Sequence, residues 1–361
     1  MVPVDDNTIQ RIPSEEEDQD TVPVNYDIVT YPADFTLEVI ISKFGKTILV
    51  PGFQRKYVWN IKQASRLIES FLLGLPVPAI FLYVEPKDNS YIVVDGQQRL
   101  MSVAYFFEGY FGEPDAKGKR TTFSLQGLNE RSPFNGLTCQ DLKQHNEAAY
   151  NRLQESILRA FIIKQLRPEG RSSVYHVFER LNTGGTQLVG QEIRNCIYHG
   201  EFNDLLIALN KGKDWRAIFG KPIEDRRQRD IELILRFFAL YHNGANYSKP
   251  MKDFLSNYMA SLQDDGTKIA AHKRLFRDTA KTVFQHLGEK PFHIYSGLNV
   301  AAFDGVFVAF ARNRNNIPKD VAKRYKSLQQ NRSFLELVGS ATTDEEVIAN
   351  RLELVEQMLF G

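Results

Sequence analysis

Apolar positions take on a regular pattern only from about Tyr26. Ahead of it, Asp5, Asp6, Glu15, Glu16, Glu17, Asp18 and Asp20 crowd a stretch whose sole base is Arg11. Residues 1–25 are therefore expected to form a disordered acidic tail. Thr47 to Val50 predicts a short strand stopped by Pro51. Ala64, Leu67, Ile68, Phe71 and Leu72 recur at helical spacing. Asn60 and Gln63 stand at capping-box spacing, and Gly74 and Pro76 supply stops, so the helix spans 61–73. Ala79–Val84 and Tyr91–Val94, joined by the turn-rich Pro86–Ser90, predict a hairpin. Leu100–Phe107 reads as a helix and Ile157–Leu166 as a strand returning to the sheet. Residues 110–148 show little periodicity and are expected to be an irregular insertion.

Beyond Arg167-Pro168-Glu169-Gly170 the pattern turns almost wholly helical. Val174, Val177, Phe178 and Leu181 mark one amphipathic helix, broken at Asn182-Thr183-Gly184-Gly185-Thr186. Gln191–Tyr198 starts another, with Gly200 as its expected C-cap residue. Ile231–Tyr241 follows, then helices near 251–262, 268–286, 299–312, 318–328 and 344–360. The expected architecture is α+β: a unit over 26–168 with a small mixed sheet, then an all-α unit over 169–361.

Composition narrows the class. The chain has 361 residues, 45 Lys+Arg against 44 Asp+Glu, and a net charge of +1. At 43% hydrophobic and 12% aromatic it is too apolar for disorder throughout. No apolar run approaches the ~18 residues of a membrane span. The acidic start lacks a secretory pattern, and the two cysteines, Cys139 and Cys196, make no disulfide framework. A cytoplasmic protein is expected. The even charge excludes a uniformly basic coat while leaving room for local patches. Self-association is compatible with it.

Three segments carry candidate chemistry. In the first, a strand runs into Asp95-Gly96-Gln97-Gln98-Arg99 and a helix opens there. A helix N-terminus suits a phosphate, and Arg99 adds a bidentate donor. Asp95 suits a metal ion, a water or loop order; Gln97 and Gln98 suit a ribose, a base edge or a water. A polar turn with an N-capping Asp has the same composition. The second is Phe53-Gln54-Arg55-Lys56-Tyr57-Val58-Trp59, where cations for phosphate and aromatics for stacking share a loop. A buried aromatic anchor between solvated cations fits equally. The third is Phe178–Thr186, with Arg180 and paired glycines that permit close backbone approach, followed by Gln191–Asn195. A helix C-cap with a turn explains it as well. Arg312, Arg314, Lys319, Lys323, Arg324, Lys326 and Arg332 form a basic run with Asp320 as its one acid, and Arg226, Arg227 and Arg229 a smaller cluster. Either suits a nucleic-acid backbone or a solvated face. No H-E-x-x-H, C-x-x-C, G-x-S-x-G or Walker pattern occurs.

The order and spacing of Pro51–Trp59, Ser65–Ser70, Gly74–Pro78 and Asp95–Leu100 resemble one family. It is the N-terminal domain of GmrSD-type modification-dependent restriction enzymes, shared with the phage-defence proteins SspE and BrxU. Phe178–Thr186 and Gln191–Asn195 resemble its downstream motif, so the likeness covers about 35–200. It implies a ParB/sulfiredoxin-like fold whose strand–turn–helix binds nucleotide phosphate. The site would comprise Asp95, Gly96, Gln97, Gln98 and Arg99, with Gln54 and Arg55 nearby. Tyr57, Trp59, Arg180, Asn182, Thr183, Gly184 and Gly185 would complete the nucleotide contacts. Asp95 would place Mg²⁺ or water, and a glutamine would orient the attacking water. The resemblance further implies nucleoside triphosphate hydrolysis coupled to sensing of DNA, including modified DNA. No HNH-type centre is evident in these residues, so a separate nuclease subunit is the expected partner. The alternatives are a non-catalytic, antitoxin-like nucleotide- or DNA-binding module and, third, a nuclease in its own right.

Overall fold

The structure of the chain, a computed structural model, describes residues 28–50, 57–86, 88–112, 114, 118–166, 172–181, 189–225, 227–262, 266–294 and 297–361. The chain divides into two compact units, Tyr26–Gln187 and Leu188–Gly361. The acidic stretch over residues 1–25 lies outside the described residues.

The first unit runs β1 (Ile28–Thr36), α1 (Leu37–Lys43), β2 (Ile48–Leu49), α2 (Ile61–Leu73), β3 (Ile80–Val84), β4 (Tyr91–Asp95), α3 (Gln97–Glu108), β5 (Tyr110–Phe111), β6 (Thr121–Thr122), α4 (Cys139–His145), α5 (Glu147–Glu155), β7 (Ile157–Gln165) and α6 (Ser172–Leu181). Its main sheet has five strands in the order β1-β7-β3-β4-β2. It is mixed: β7 runs antiparallel to β1 and parallel to β3, while β4 runs antiparallel to β3 and parallel to β2. Alternation sorts β3 between two faces. Ile80, Leu82 and Val84 join the core under α2 and α3 with Ile68, Phe71, Leu100 and Val103. Phe81 stacks on Phe161, and Tyr83 meets Phe178 of α6 edge-on at 6.4 Å. That contact carries the first unit beyond residue 168, where the chain pattern alone closes it.

Helix α2 starts as its spacing predicts. The Asn60 side chain accepts from the Gln63 amide and the Gln63 side chain from the Asn60 amide, both at 3.0 Å. It ends at Gly74. Two expectations need correction. Within the stretch 110–148, residues 139–145 form a helix and α5 begins at Glu147, so its end is not irregular: Thr138 and Asp141 make a capping box for α4, and Asn146 caps α5. Strand β1 has no counterpart in the sequence pattern. It is the sheet edge, mostly exposed and interrupted by Pro32, so it lacks buried alternation.

The second unit is helical: α7 (Gly190–Ile197), α8 (Glu201–Asn210), α9 (Lys213–Phe219), α10 (Arg229–Asn243), α11 (Met251–Leu262), α12 (Gly266–Leu287), α13 (Val300–Arg312), α14 (Val321–Gln329), α15 (Arg332–Leu337) and α16 (Glu345–Phe360). Gly200 does not cap α7; Tyr198 closes that helix and Gly200 opens α8. Trp215, Phe237, Phe276, Phe303 and Phe307 interlock as an aromatic core, with Phe237 and Phe307 rings 4.9 Å apart. Inside this unit Arg236 clasps Asp304 with both Nε and Nη2, and Arg351 lies 4.0 Å from the same carboxylate. No helix among the described residues is long and apolar enough to cross a membrane.

Candidate functional site

The corner between β4 and α3 is built by a glycine. Gly96 sits at φ +98, a left-handed conformation that side chains resist. A Cβ there would stand 2.3 Å from Ile80 Cγ2 and 3.2 Å from Arg99 Nη2. One strand earlier, the β3–β4 pairing shifts register between Phe81 and Leu82, which sets Asp95 opposite Phe81 at the sheet end. From there the Asp95 carboxylate takes the Arg99 guanidinium at 2.7 Å. The same Nη2 donates to the Ala79 carbonyl at 3.1 Å. Arg99 Nε is buried with no acceptor among the described residues. An unmet buried donor costs about 1–3 kcal/mol until an acceptor reaches it. Helix α3 itself begins without a side-chain cap and without an acid in its first turn. Its partial positive charge is therefore uncompensated from within. Corner, cation and helix end together favour an anion.

Neighbouring candidates turn out to hold this corner in shape. Gln98 Oε1 accepts from the Val58 and Trp59 amides at 2.9 and 3.1 Å. Ser102 donates to the Gln98 carbonyl, so the Tyr57 hydroxyl donates to Ser102 at 2.8 Å. The Tyr57 ring packs edge-on against Tyr105 and Phe111, and burial pushes its phenol up to about 12. Trp59 packs against the main core of the unit. Of the two earlier readings of this loop, Tyr57 and Trp59 fit the aromatic anchor, while Val58 between them is exposed. Gln97 reaches Met101 Sδ at 3.5 Å. Arg180 is exposed near the end of α6. Gln54, Arg55, Asn182, Thr183, Gly184 and Gly185 lie outside the described residues.

The segment Gln191–Asn195 is not a surface motif. Arg194 is fully buried and donates to Gln191 at 3.0 Å and to Glu232 at 2.7 Å. Gln191 donates to Asn195, which in turn contacts Gln228. The polar residues there knit α7 to α10, a network that only the partners Glu232 and Gln228 could have revealed.

The basic surfaces also differ from the linear pattern. In the run over 312–332, Arg312 pairs with Glu356, Arg324 with Asp320 and Arg332 with Glu336. Arg229 likewise pairs with Asp225, while Arg226 lies outside the described residues. Sequence reasoning missed a different surface. A groove of about 710 Å³ is lined by Lys211 and Lys213 on one side and by Lys273, Arg277 and Lys281 of α12 on the other. These cations are exposed, and among the described residues none carries an ion pair, although Asp214 and Asp278 share the groove. Along α12 they recur every four residues, about 6 Å of helix. The signal was present as an i, i+4, i+8 repeat inside a helix whose charges balance overall.

Residues 37–199 match the family described as GmrSD restriction endonuclease, N-terminal domain. The chain carries a domain of the GmrSD N-terminal family. No curated protein matches the chain. The matched stretch spans all of the corner from Ile80 to Arg99 and ends just past α7, before the partners Gln228 and Glu232. Among its described residues, and those of the rest of the chain, no group of three or more His, Cys, Asp and Glu side chains converges.

Proposed function

We propose that this chain is the nucleotide-responsive, DNA-engaging component of a prokaryotic restriction or anti-phage system. The observation that carries the reading is the corner at Gly96: an uncapped helix start, with Arg99 fixed beside it by Asp95 and keeping one donor unmet. A nucleoside triphosphate fits this chemistry. Its phosphate oxygens would lie at the α3 N-terminus, and an acceptor reaching Arg99 would relieve the cost of that donor. Asp95 holds Arg99 with one oxygen. Mg²⁺ needs only one or two carboxylates beside the phosphates, so the Asp95 carboxylate can hold it as it arrives with them. When bound, that ion would neutralise phosphate charge. Gln98 keeps the Tyr57–Trp59 segment against α3, and Gln97 remains the glutamine nearest the helix start for orienting water.

DNA contact is assigned to the groove of Lys211, Lys213, Lys273, Arg277 and Lys281, because unpaired cations at regular spacing suit a phosphate backbone. A separate nuclease subunit would supply cleavage. A second reading, a binding module without turnover, is favoured by one observation: the amide oxygen of Gln98 and one oxygen of Asp95 are spent inside the protein.

The experiment is phosphate release from ATP, GTP, CTP and UTP with Mg²⁺, with and without plain and modified DNA. Turnover raised by one DNA type supports the sensor. Binding of a triphosphate without turnover supports the module. Neither binding nor turnover overturns the nucleotide reading.

A further inference from the structure

The helical unit holds a further cavity, of about 480 Å³, inside the range of small-ligand pockets. Its wall combines Tyr241 and His242 of α10, Tyr258 of α11, Lys268 and His272 of α12, and Arg314 just past α13. Leu262 and Leu275 add an apolar side. Among the described residues no carboxylate lines it.

A hydrogen-bond chain fixes the protons. His272 Nδ1 lies 2.7 Å from the Lys268 carbonyl, which can only accept, so that nitrogen carries the proton. Its Nε2 is then the acceptor for the Tyr258 hydroxyl at 2.9 Å. Having donated there, Tyr258 accepts from His242 Nδ1 at 2.7 Å, a proton that His242 shares with the Phe238 carbonyl. Among the described residues the chain leaves His242 Nε2 as its open end, on a ring whose contacts are part-buried. Arg314 is held at the same wall by donating to the Tyr241 hydroxyl at 3.2 Å and the Ala311 carbonyl at 3.1 Å.

We propose that this cavity is a binding site for a small organic monophosphate, whose phosphate is taken by Arg314 and a protonated His242. Two cationic donors suit a dianion better than a carboxylate. The volume leaves room for a sugar-sized group beside Tyr241 and Tyr258. The groups facing His242 are Tyr241 on its own helix, Tyr258, His272, Lys268 and Arg314. Burial, and then the neighbouring His272, hold His242 below the usual histidine range, so the empty cavity keeps it neutral at pH 7. A bound dianion reverses that preference, and binding takes up a proton. The site belongs to the helical unit and does not rest on the nucleotide reading.

The test titrates the full chain with ribose 5-phosphate at pH 6.5 and pH 8, by calorimetry and by the NMR signal of the His242 ring. Ribose and inorganic phosphate serve as partial probes. The phosphate ester stays mostly dianionic over this span, since its second pKa is about 6. The expected result is saturable binding, tighter at pH 6.5, with the His242 signal titrating at higher pH in the complex. Arg314→Gln weakens it at least about tenfold, and His242→Asn removes the pH dependence. Inorganic phosphate binds more weakly and ribose not at all. Arg314 is exposed, so its variant is expected to keep the wild-type unfolding curve, which is measured alongside. Absence of saturable binding, or wild-type affinity in a folded Arg314→Gln, overturns the proposal.

Discussion

Asp95–Arg99 in the sheet unit and Asp304–Arg236 in the helical unit are the same pair of residue types at similar range. Their surroundings give them opposite work. Asp304 and Arg236 are buried, both guanidinium nitrogens nearest the acid are used, and a second arginine, Arg351, closes the space. Arg351 Nη1 donates to the Leu337 and Thr342 carbonyls, which ties α16 to the end of α15 and the turn after it. Asp95 is 37% exposed and Arg99 17%, at a corner that opens a helix. There the arginine spends one nitrogen on fold contacts and keeps Nε without an acceptor. The closed cluster fastens helices even with Arg351 Nε and Nη2 unmet; what sets the corner apart is that its unmet donor belongs to a part-exposed pair beside an uncapped helix start.

Substitutions sharpen this contrast in a graded way. Asp304→Ala would strand two buried arginines and should cost about 3–5 kcal/mol, read as a lowered urea midpoint. An unchanged midpoint would remove the fastening role. Gly96→Ala puts a Cβ against Ile80 in a left-handed backbone and should cost about 1–3 kcal/mol from strain alone. It should also abolish nucleotide binding, in protein that is still folded by circular dichroism. Reversing Lys273, Arg277 and Lys281 to Glu should leave stability almost unaltered, since all are exposed. It should flatten the salt dependence of DNA binding by at least about 2.7 in log–log slope, about 0.9 for each of three lost contacts. An unchanged slope would move DNA off the groove.

The smallest effect is on pH. His242 and His293 are both held below the ordinary histidine range, each chiefly by burial. As pH falls through 6.5 the unfolded chain takes up these protons before the native one, so stability drops. Between pH 8 and pH 7 their slope is shallow and steepens toward pH 6.5. His242→Gln should shallow the loss between pH 6.5 and 5.5, seen in urea midpoints. Asp34, Asp141 and Asp320 are depressed by hydrogen bonds, and what they contribute is lost only in stronger acid.

Much of the sheet unit could be read from the chain because its signals are local. The Asn60–Gln63 box and the period of Ala64 to Leu72 delimit α2, and the Asp95–Arg99 corner announces itself by glycine at a strand end. Strand β1 could not be read, since an edge strand with Pro32 buries too little to alternate. The capping residues of α4 and α5 were in plain view but lay among weakly periodic neighbours. Charge was the least legible. The run over 312–332 looks basic only until Glu356, Asp320 and Glu336 are seen across helix faces. The groove cations come from three helices' worth of sequence and gather only in the fold.

The most direct test of the nucleotide corner is equilibrium binding of each nucleoside triphosphate with Mg²⁺ to the wild-type chain and to Arg99→Gln, with urea unfolding of both. Loss of a part-exposed pair should change stability by no more than about 1 kcal/mol. At least about a tenfold loss of affinity is expected in that folded variant. Equal affinity in the two proteins would contradict it.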